Sequence, residues 1–396
     1  FDIVKSKLTR IGFNAFAFSG LDSTIEFPNS LTTIADQAFY DCYRVEGITF
    51  DTTKSKLTSI GDNAFQLIGY GAIMPDDYVP VPFTIAFPLS LKTIGNEAFA
   101  NRTNLTSVTF PVLGKLTSIE YNAFSNSGLT GTIAFPHSLT VIGYGAFANC
   151  DSLTSVTFDI LKSKLTRIDG YAFAFSGLNG TLNFPNSLTV IEDSAFNSCP
   201  LVSVTFPPKG KLKSIRYQAF KAKEIVIDNS ASVSYIGVSG KIDFPASLDL
   251  IIDEAFYKCP ITEITFPSTS KLTYIGNNAF NSSSITSTAG NSLKFPASLT
   301  MIGDYAFANC ANITSVDFTL NPKLGCIGVG AFPAVCAEIF PTYNTLPLRT
   351  TLPVRTPLPV RTTLPVRTPL PVRKLNNIPH KKIRSVNHLR TLNFNN

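Results

Sequence analysis

Residues 135–158 read FPHSLTVIGYGAFANCDSLTSVTF, and two patterns follow one another within them. Ile142, Ala146, Phe147 and Cys150 recur at helical intervals, which predicts one or two turns of helix or 3₁₀-helix, too short to stand without neighbours. Leu153, Val156 and Phe158 then alternate with Ser155 and Thr157, the mark of a short strand with one buried face. In most such stretches a proline follows the closing Phe, as in Phe110-Pro111, Phe135-Pro136 and Phe184-Pro185. Lacking an N–H, it ends the ladder and turns the chain.

The stretch is one copy of a repeat. The dipeptide Ala-Phe occurs thirteen times, with its Phe at 16, 39, 65, 99, 124, 147, 173, 196, 220, 256, 280, 307 and 332. A period in the twenties over residues 1–340 implies a solenoid, because each unit is too small to bury its own apolar face. Composition agrees: 32 Phe against no Trp and 2 Met is what copying one motif produces, and 44% hydrophobic with 15% charged residues suits a packed core. The copies alternate. Odd ones continue as Ser-Gly-Leu (Ser127-Gly128-Leu129, Ser176-Gly177-Leu178), whereas even ones place Cys three residues after the Phe, at Cys42, Cys150, Cys199, Cys259 and Cys310, with Arg102 the exception. The expected architecture is an α/β repeat solenoid of thirteen coils built in pairs, each coil a short strand plus a short helical turn. At about 4.8 Å per coil it would be a rod roughly 60 Å long.

Leu105 to Phe110 and Leu153 to Phe158 carry the spacing Leu-x-x-Val-x-Phe, similar to the strand core of leucine-rich repeats. Segments 56–65 (KLTSIGDNAF), 135–158 and 295–318 (FPASLTMIGDYAFANCANITSVDF) resemble the BspA-like leucine-rich repeat family, with its Ile-Gly-x-x-Ala-Phe, then Cys, then an Ile/Val strand closed by Pro. The resemblance implies a cell-surface or secreted adhesin-like protein of the kind found in anaerobic bacteria and parasitic protists, binding host or matrix proteins and having no enzymatic activity. An intracellular leucine-rich-repeat scaffold and a polyanion or nucleic-acid binder are the alternatives.

Little in the chain points to catalysis, a metal or a cofactor. There are three His, two of them (His380 and His388) in the final segment, and His137 reads as a solvated turn residue. Glu26, Asp243 and Asp317 fall at outward strand positions without partners fixed by sequence, and no phosphate loop or nucleophile elbow occurs. Cysteines in alternate coils stand about 10 Å apart, too far for a disulfide, and read as small core residues. Cys310 and Cys336 share a slot in neighbouring coils, with Cys326 on the connection between them, and are the one pair left open. Thr49, Thr109, Thr157, Thr205 and Thr265 form an outward ladder interrupted by Glu26, Ala86, Ala134, Asn183, Asp243 and Lys294, as on any solvated sheet. Asn-x-Ser/Thr triplets at Asn101, Asn104, Asn179, Asn281 and Asn312 lend weak support to secretion.

Residues 341–396 differ from the body. They hold ten Lys or Arg and no acid, against 23 basic and 27 acidic residues before them, so a body of net charge −4 carries a tail of +10. Between Leu346 and Lys374 the hexads LPLRTT, LPVRTP, LPVRTT, LPVRTP and LPVRK predict an extended, disordered basic segment. Their arginines stand roughly 19 Å apart, more than twice the ~8 Å Debye length, and act as single charges. Nucleic acid is therefore not the expected partner, although peripheral membrane contact by the tail is compatible with its charge. No stretch is apolar and long enough for a spanning helix, and the start at Phe1 speaks neither for nor against a signal peptide.

The expected partner site comes from two irregular gaps. Odd-to-even spacings are 23 in three pairs but 34 between Phe65 and Phe99 and 36 between Phe220 and Phe256. The first insertion carries Tyr70, Met74, Asp76, Asp77 and Tyr78, the second Lys223, Glu224 and Tyr235. Both fall in one slot of an odd coil and are expected on one side of the rod, with Tyr70, Asp76, Asp77, Tyr78 and Tyr235 contacting a protein ligand.

Overall fold

A computed structural model describes residues 2–67, 80–227, 232–287, 292–334 and 336. Its spine is a parallel sheet of thirteen strands, each two residues long, from Arg10–Ile11 to Cys326–Ile327. The second residue of each strand is an Ile that pairs with the Ile of the next coil, as in Ile119 with Ile142 and Ile142 with Ile168. The Ile side chains face the core, with Ile327 of the last coil only half-buried, while the residue before them is half-buried or exposed in every strand but Ser214–Ile215, which is why only the Ile position is invariantly apolar here. The sheet passes both insertions without a break: Ile60 pairs with Ile94, and Ile215 with Ile251. Ile142, expected on a helical turn, is thus a strand residue, and Cys326, expected on a connection, lies in the last strand of this sheet.

The Ala-Phe segment is not helical. Among the described residues there is no α-helix, and 3₁₀ geometry is confined to residues 334 and 336, so the class is all-β rather than α/β. The cause is visible in the backbone. The residue before every Ala-Phe has a positive φ, for example Asn122 at 49° and Tyr171 at 55°, and so does the second residue after the Phe in ten coils, for example Asn126 at 55°. Left-handed residues at both ends of a five-residue segment interrupt any right-handed helix. Gly, Asn, Gln and Ser occupy many of these positions, and Gly145 meets the requirement without a Cβ penalty. The hydrogen bonds alternate accordingly: Phe147 donates its N–H to Ala172 O of the next coil at 2.7 Å and Asn149 to Ala174 O at 2.9 Å, while Ala148 turns back to Gly145 O at 2.9 Å. Inter-coil bonding takes the donors that a helix would have used internally.

The strand expected at residues 153–158 is present as Leu153–Thr157, but its sheet has only two strands, Gly131–Ala134 and Leu153–Thr157. Five more two-stranded parallel sheets repeat this pairing along the solenoid, each joining an odd coil to the even coil after it. The expected threonine ladder is therefore divided into couples such as Ala134 with Thr157 and Asn183 with Thr205.

Two files of phenylalanine fill the interior. The Ala-Phe rings stack from Phe16 to Phe332 with neighbouring centroids 5.0–5.3 Å apart and planes within 10° of parallel. The strand-closing rings alternate instead. They are 5.2–5.5 Å apart within a couple (Phe27–Phe50, Phe295–Phe318) and 6.0–6.4 Å between couples (Phe206–Phe244, Phe50–Phe87). The coil pair read from the sequence is thus a packing unit. Edges of the second file meet faces of the first, as in Phe135 against Phe147 at 5.6 Å and 68°, a geometry worth about 0.5–1.5 kcal/mol per pair beyond burial.

Candidate partner-binding site

The buried polar residues serve the solenoid itself. In every even coil that carries it, the Cys thiol donates to the Ala-Phe carbonyl of the preceding odd coil: Cys42 to Phe16 O at 2.9 Å, Cys150 to Phe124 O at 3.2 Å, Cys199 to Phe173 O at 3.0 Å, Cys259 to Phe220 O at 2.9 Å and Cys310 to Phe280 O at 3.1 Å. Ser19, Ser127, Ser176 and Ser283, from the odd coils, lie 3.1–3.4 Å from the sulfurs of Cys42, Cys150, Cys199 and Cys310. The odd–even alternation of Ser-Gly with Cys is therefore one contact written from both sides. The glycines beside Ser127 and Ser176 permit it there, since a Cβ on Gly128 or Gly177 would run into the Thr103 or Asp151 carbonyl, whereas Ser283 is followed by Ser284. Arg102 does the work of the missing Cys, its Nε donating to Phe65 O at 2.6 Å from a fully buried side chain.

All seven cysteines are free thiols, so Cys310 and Cys336 do not form the bond left open by the sequence. Burial pushes the Cys150, Cys199 and Cys259 thiols up to about 11, 12 and 12. His137 is not a solvated turn residue: its side chain is largely covered, with Nε2 3.2 Å from an Asp159 carboxylate oxygen. Among the described residues no group of three or more His, Cys, Asp or Glu could hold a metal ion.

The second insertion forms the one antiparallel element among the described residues, a hairpin of Lys223–Ile227 and Ser232–Ile236 that pairs Glu224 with Tyr235. Tyr235 is half-buried and packs against the core. Lys258, from the next coil, donates to the Tyr235 hydroxyl at 2.8 Å while its Nζ stands 4.4 Å from the Tyr235 ring centroid and 5.1 Å from that of Tyr257. The Tyr235 hydroxyl, and more weakly the Glu224 carboxylate 3.9 Å away, raise the Lys258 pKa. This clasp holds the hairpin to the solenoid and leaves Val233 and Ile236 exposed. Tyr70, Asp76, Asp77 and Tyr78 lie outside the described residues.

Sequence reasoning missed Lys258, Tyr257, Val233 and Ile236, because the clasp spans two coils and alternation sets Val233 and Ile236, three residues apart in one strand, on opposite faces, so that it marks no shared exposed surface. It also missed an exposed aromatic file at the turn after the long sheet. Tyr121 and Tyr144 stack at 5.7 Å, and Tyr171 follows at 5.3 Å with a 44° tilt. Charges flank it: Arg167 pairs with Asp169 at 2.6 Å and Arg216 with Glu192 at 3.0 Å, and burial raises both carboxyl pKa values despite those partners. The signal was a Tyr two or three residues before the repeat Phe in three consecutive copies.

A family model described as the BspA type leucine rich repeat region, in six copies, matches residues 2–70, 83–181, 158–240 and 238–339. None of the curated proteins compared with the chain matches it. Among solved structures, a leucine-rich repeat protein from Bacteroides ovatus is 22% identical, over 80% of this chain and 85% of that one, with a TM-score of 0.39. A leucine rich cell surface protein from Faecalibacterium prausnitzii is 21% identical, over 78% and 88%, with a TM-score of 0.41. The pneumococcal vaccine antigen PcpA is 21% identical, over 78% and 75%, with a TM-score of 0.38.

Proposed function

Because the chain belongs to the BspA-type leucine-rich repeat family, we propose that it is a non-catalytic protein-binding module, working at the cell surface or after secretion as an adhesin-like protein. The observation that carries this reading is the hairpin: to a solenoid whose other described strands are all parallel, one coil adds an antiparallel element that is clamped with Lys258 and on which Val233 and Ile236 are exposed. Apolar side chains presented on a rigid support lose little entropy on binding, which favours their use as anchors. The ligand is expected to cover these two residues, with Tyr70, Asp76, Asp77 and Tyr78 of the first insertion as a second contact in the same slot of an earlier coil.

The test is retention of the full chain on immobilised extracellular-matrix proteins, compared with a Val233→Ser/Ile236→Ser variant. Loss of about tenfold or more in affinity, with an unchanged melting curve, is expected. Equal retention of both proteins, or no retention of either, contradicts the reading. A tail-borne polyanion activity is separated by fusing residues 341–396 to an inert carrier, where only weak, steeply salt-dependent nucleic-acid binding is expected.

A further inference from the structure

One corner of the solenoid, where the chain passes from the strand-closing Phe of an even coil to the long sheet of the next odd coil, is a row of cations. The residue before the Leu that opens each odd coil is Lys in all seven cases: Lys7, Lys56, Lys115, Lys164, Lys211, Lys271 and Lys323. All seven are exposed, and among the described residues none lies within 4.0 Å of a carboxylate. They recur every second coil, about 10 Å apart. Lys5, Lys54, Lys162 and Lys209 lie in the same loops, which hold eleven Lys against three Asp, a net charge of +8 in a body whose 23 basic and 27 acidic residues sum to −4. The three aspartates, Asp2, Asp51 and Asp159, are also spent on their own loops, accepting the backbone N–H groups of Val4 and Lys5, of Thr53 and Lys54, and of Leu161 and Lys162.

The same corner exposes aliphatic side chains at its tips. Leu113 and Leu161 are each 79% exposed, and Val112 and Ile160 stand beside them. Backbone bonds join these loops into one surface, Lys115 N to Leu89 O at 3.0 Å, His137 N to Val112 O at 3.1 Å and Lys164 N to His137 O at 2.9 Å. Val4 and Leu320 repeat the arrangement in the first and last odd-coil loops. Nothing in the coil's own packing uses these groups.

We propose that this lysine corner docks the solenoid edge-on against an anionic phospholipid bilayer, with Val112, Leu113, Ile160 and Leu161 entering the headgroup region. Both halves of the surface are then used: each lysine near anionic headgroups strengthens binding about fivefold, and the aliphatic tips reach the boundary of the acyl chains. A nucleic acid or an acidic polysaccharide matches the lysines but leaves the aliphatic tips in water. The occupant is a lipid surface, distinct from the protein ligand assigned to the hairpin.

The chain has no Trp, so Leu161→Trp installs a single reporter. With vesicles of about one part phosphatidylglycerol to two parts phosphatidylcholine, the full-length reporter is expected to shift its emission to the blue and to be quenched by brominated acyl chains. Emission unchanged by vesicles that nevertheless bind the protein means that the tail alone holds it, and overturns the proposal. In the full chain, Val112→Ser/Leu113→Ser/Ile160→Ser/Leu161→Ser is expected to weaken sedimentation with these vesicles about tenfold or more at unchanged salt dependence. Lys115→Glu/Lys162→Glu/Lys164→Glu is expected to weaken it and to flatten the salt dependence, whereas Lys241→Glu/Lys294→Glu, on another face, is expected to leave it unchanged. If the serine variant sediments undiminished while the corner lysine variant loses affinity for heparin, the corner takes a soluble polyanion and the lipid proposal fails.

Discussion

Phe147 shows what the repeat asks of one residue. Its ring is fully buried between Phe124 at 5.2 Å and Phe173 at 5.3 Å, and Phe135 meets it edge-on. Phe147→Ala opens a cavity whose walls are other rings held by backbone bonds on both sides, so little relaxation is available. We predict a loss of about 3–5 kcal/mol by urea unfolding. The cysteines make a second residue-scale prediction. Thiols enclosed with a carbonyl partner should resist alkylation, so Cys326, the half-exposed one, is expected to be modified first, while Cys42, Cys150, Cys199, Cys259 and Cys310 stay unmodified until denaturant is added. The raised pKa values of Cys150, Cys199 and Cys259 set a sign. Below the ordinary thiol value of 9.0 both folded and unfolded thiols are neutral and the stabilisation is whole. Above it the unfolded chain ionises, and stability falls as pH rises through about 11 to 12. Denaturation at rising alkaline pH checks this: Cys150→Ala/Cys199→Ala/Cys259→Ala is expected to lose less stability between neutral pH and pH about 11 than the wild type does.

At the scale of elements, the hairpin is an addition to a coil rather than a part of it, because the long sheet pairs Ser214 with Leu250 directly across the insertion. Replacing residues 223–236 with a short Ser-Gly link should therefore lower the melting temperature by only a few degrees. Lys258→Ala is expected to leave the melting temperature nearly unchanged while raising proteolytic cleavage within the hairpin. Several features of these elements were legible beforehand. The strand at Leu153–Thr157, the prolines that close other strands of its kind, such as Pro136 after Phe135, and the pairing of coils were written in alternation and in the Ser-Gly/Cys exchange. The long sheet was not, since a two-residue strand such as Val141–Ile142 is too short to show any alternation and its Ile falls at a helical interval from Ala146. The helical expectation failed at Asn122, Tyr171 and their equivalents, whose left-handed backbone is imposed by stacking and is only weakly encoded in residue type. Tyr235 was found by sequence as an aromatic residue in an insertion. Its grip on Lys258, 23 residues away, had no local signal.

For the whole molecule, contacts run from each coil to its neighbours, and stability is approximately a sum over coils and the interfaces between them. Deleting Leu346 to Asn396 is accordingly expected to leave the melting temperature of the body almost unchanged, and a large decrease would mean that the tail packs on the solenoid. Charge was legible as a total and as a basic tail, but its sorting within the body was not. The lysine corner emerges only once seven loops with different sequences are placed on the same edge. The central claim is that thirteen coils form one uninterrupted stack through both insertions, and amide hydrogen exchange at residue resolution tests it most directly. Phe65 and Phe220 each donate across an insertion, to Ala98 O and Ala255 O at 2.8 Å, just as Phe147 donates to Ala172 O at 2.7 Å within the regular region. The three amides are predicted to be protected to a similar degree. Rapid exchange at Phe65 or Phe220 beside a protected Phe147 would contradict the account, dividing the solenoid into separately opening blocks.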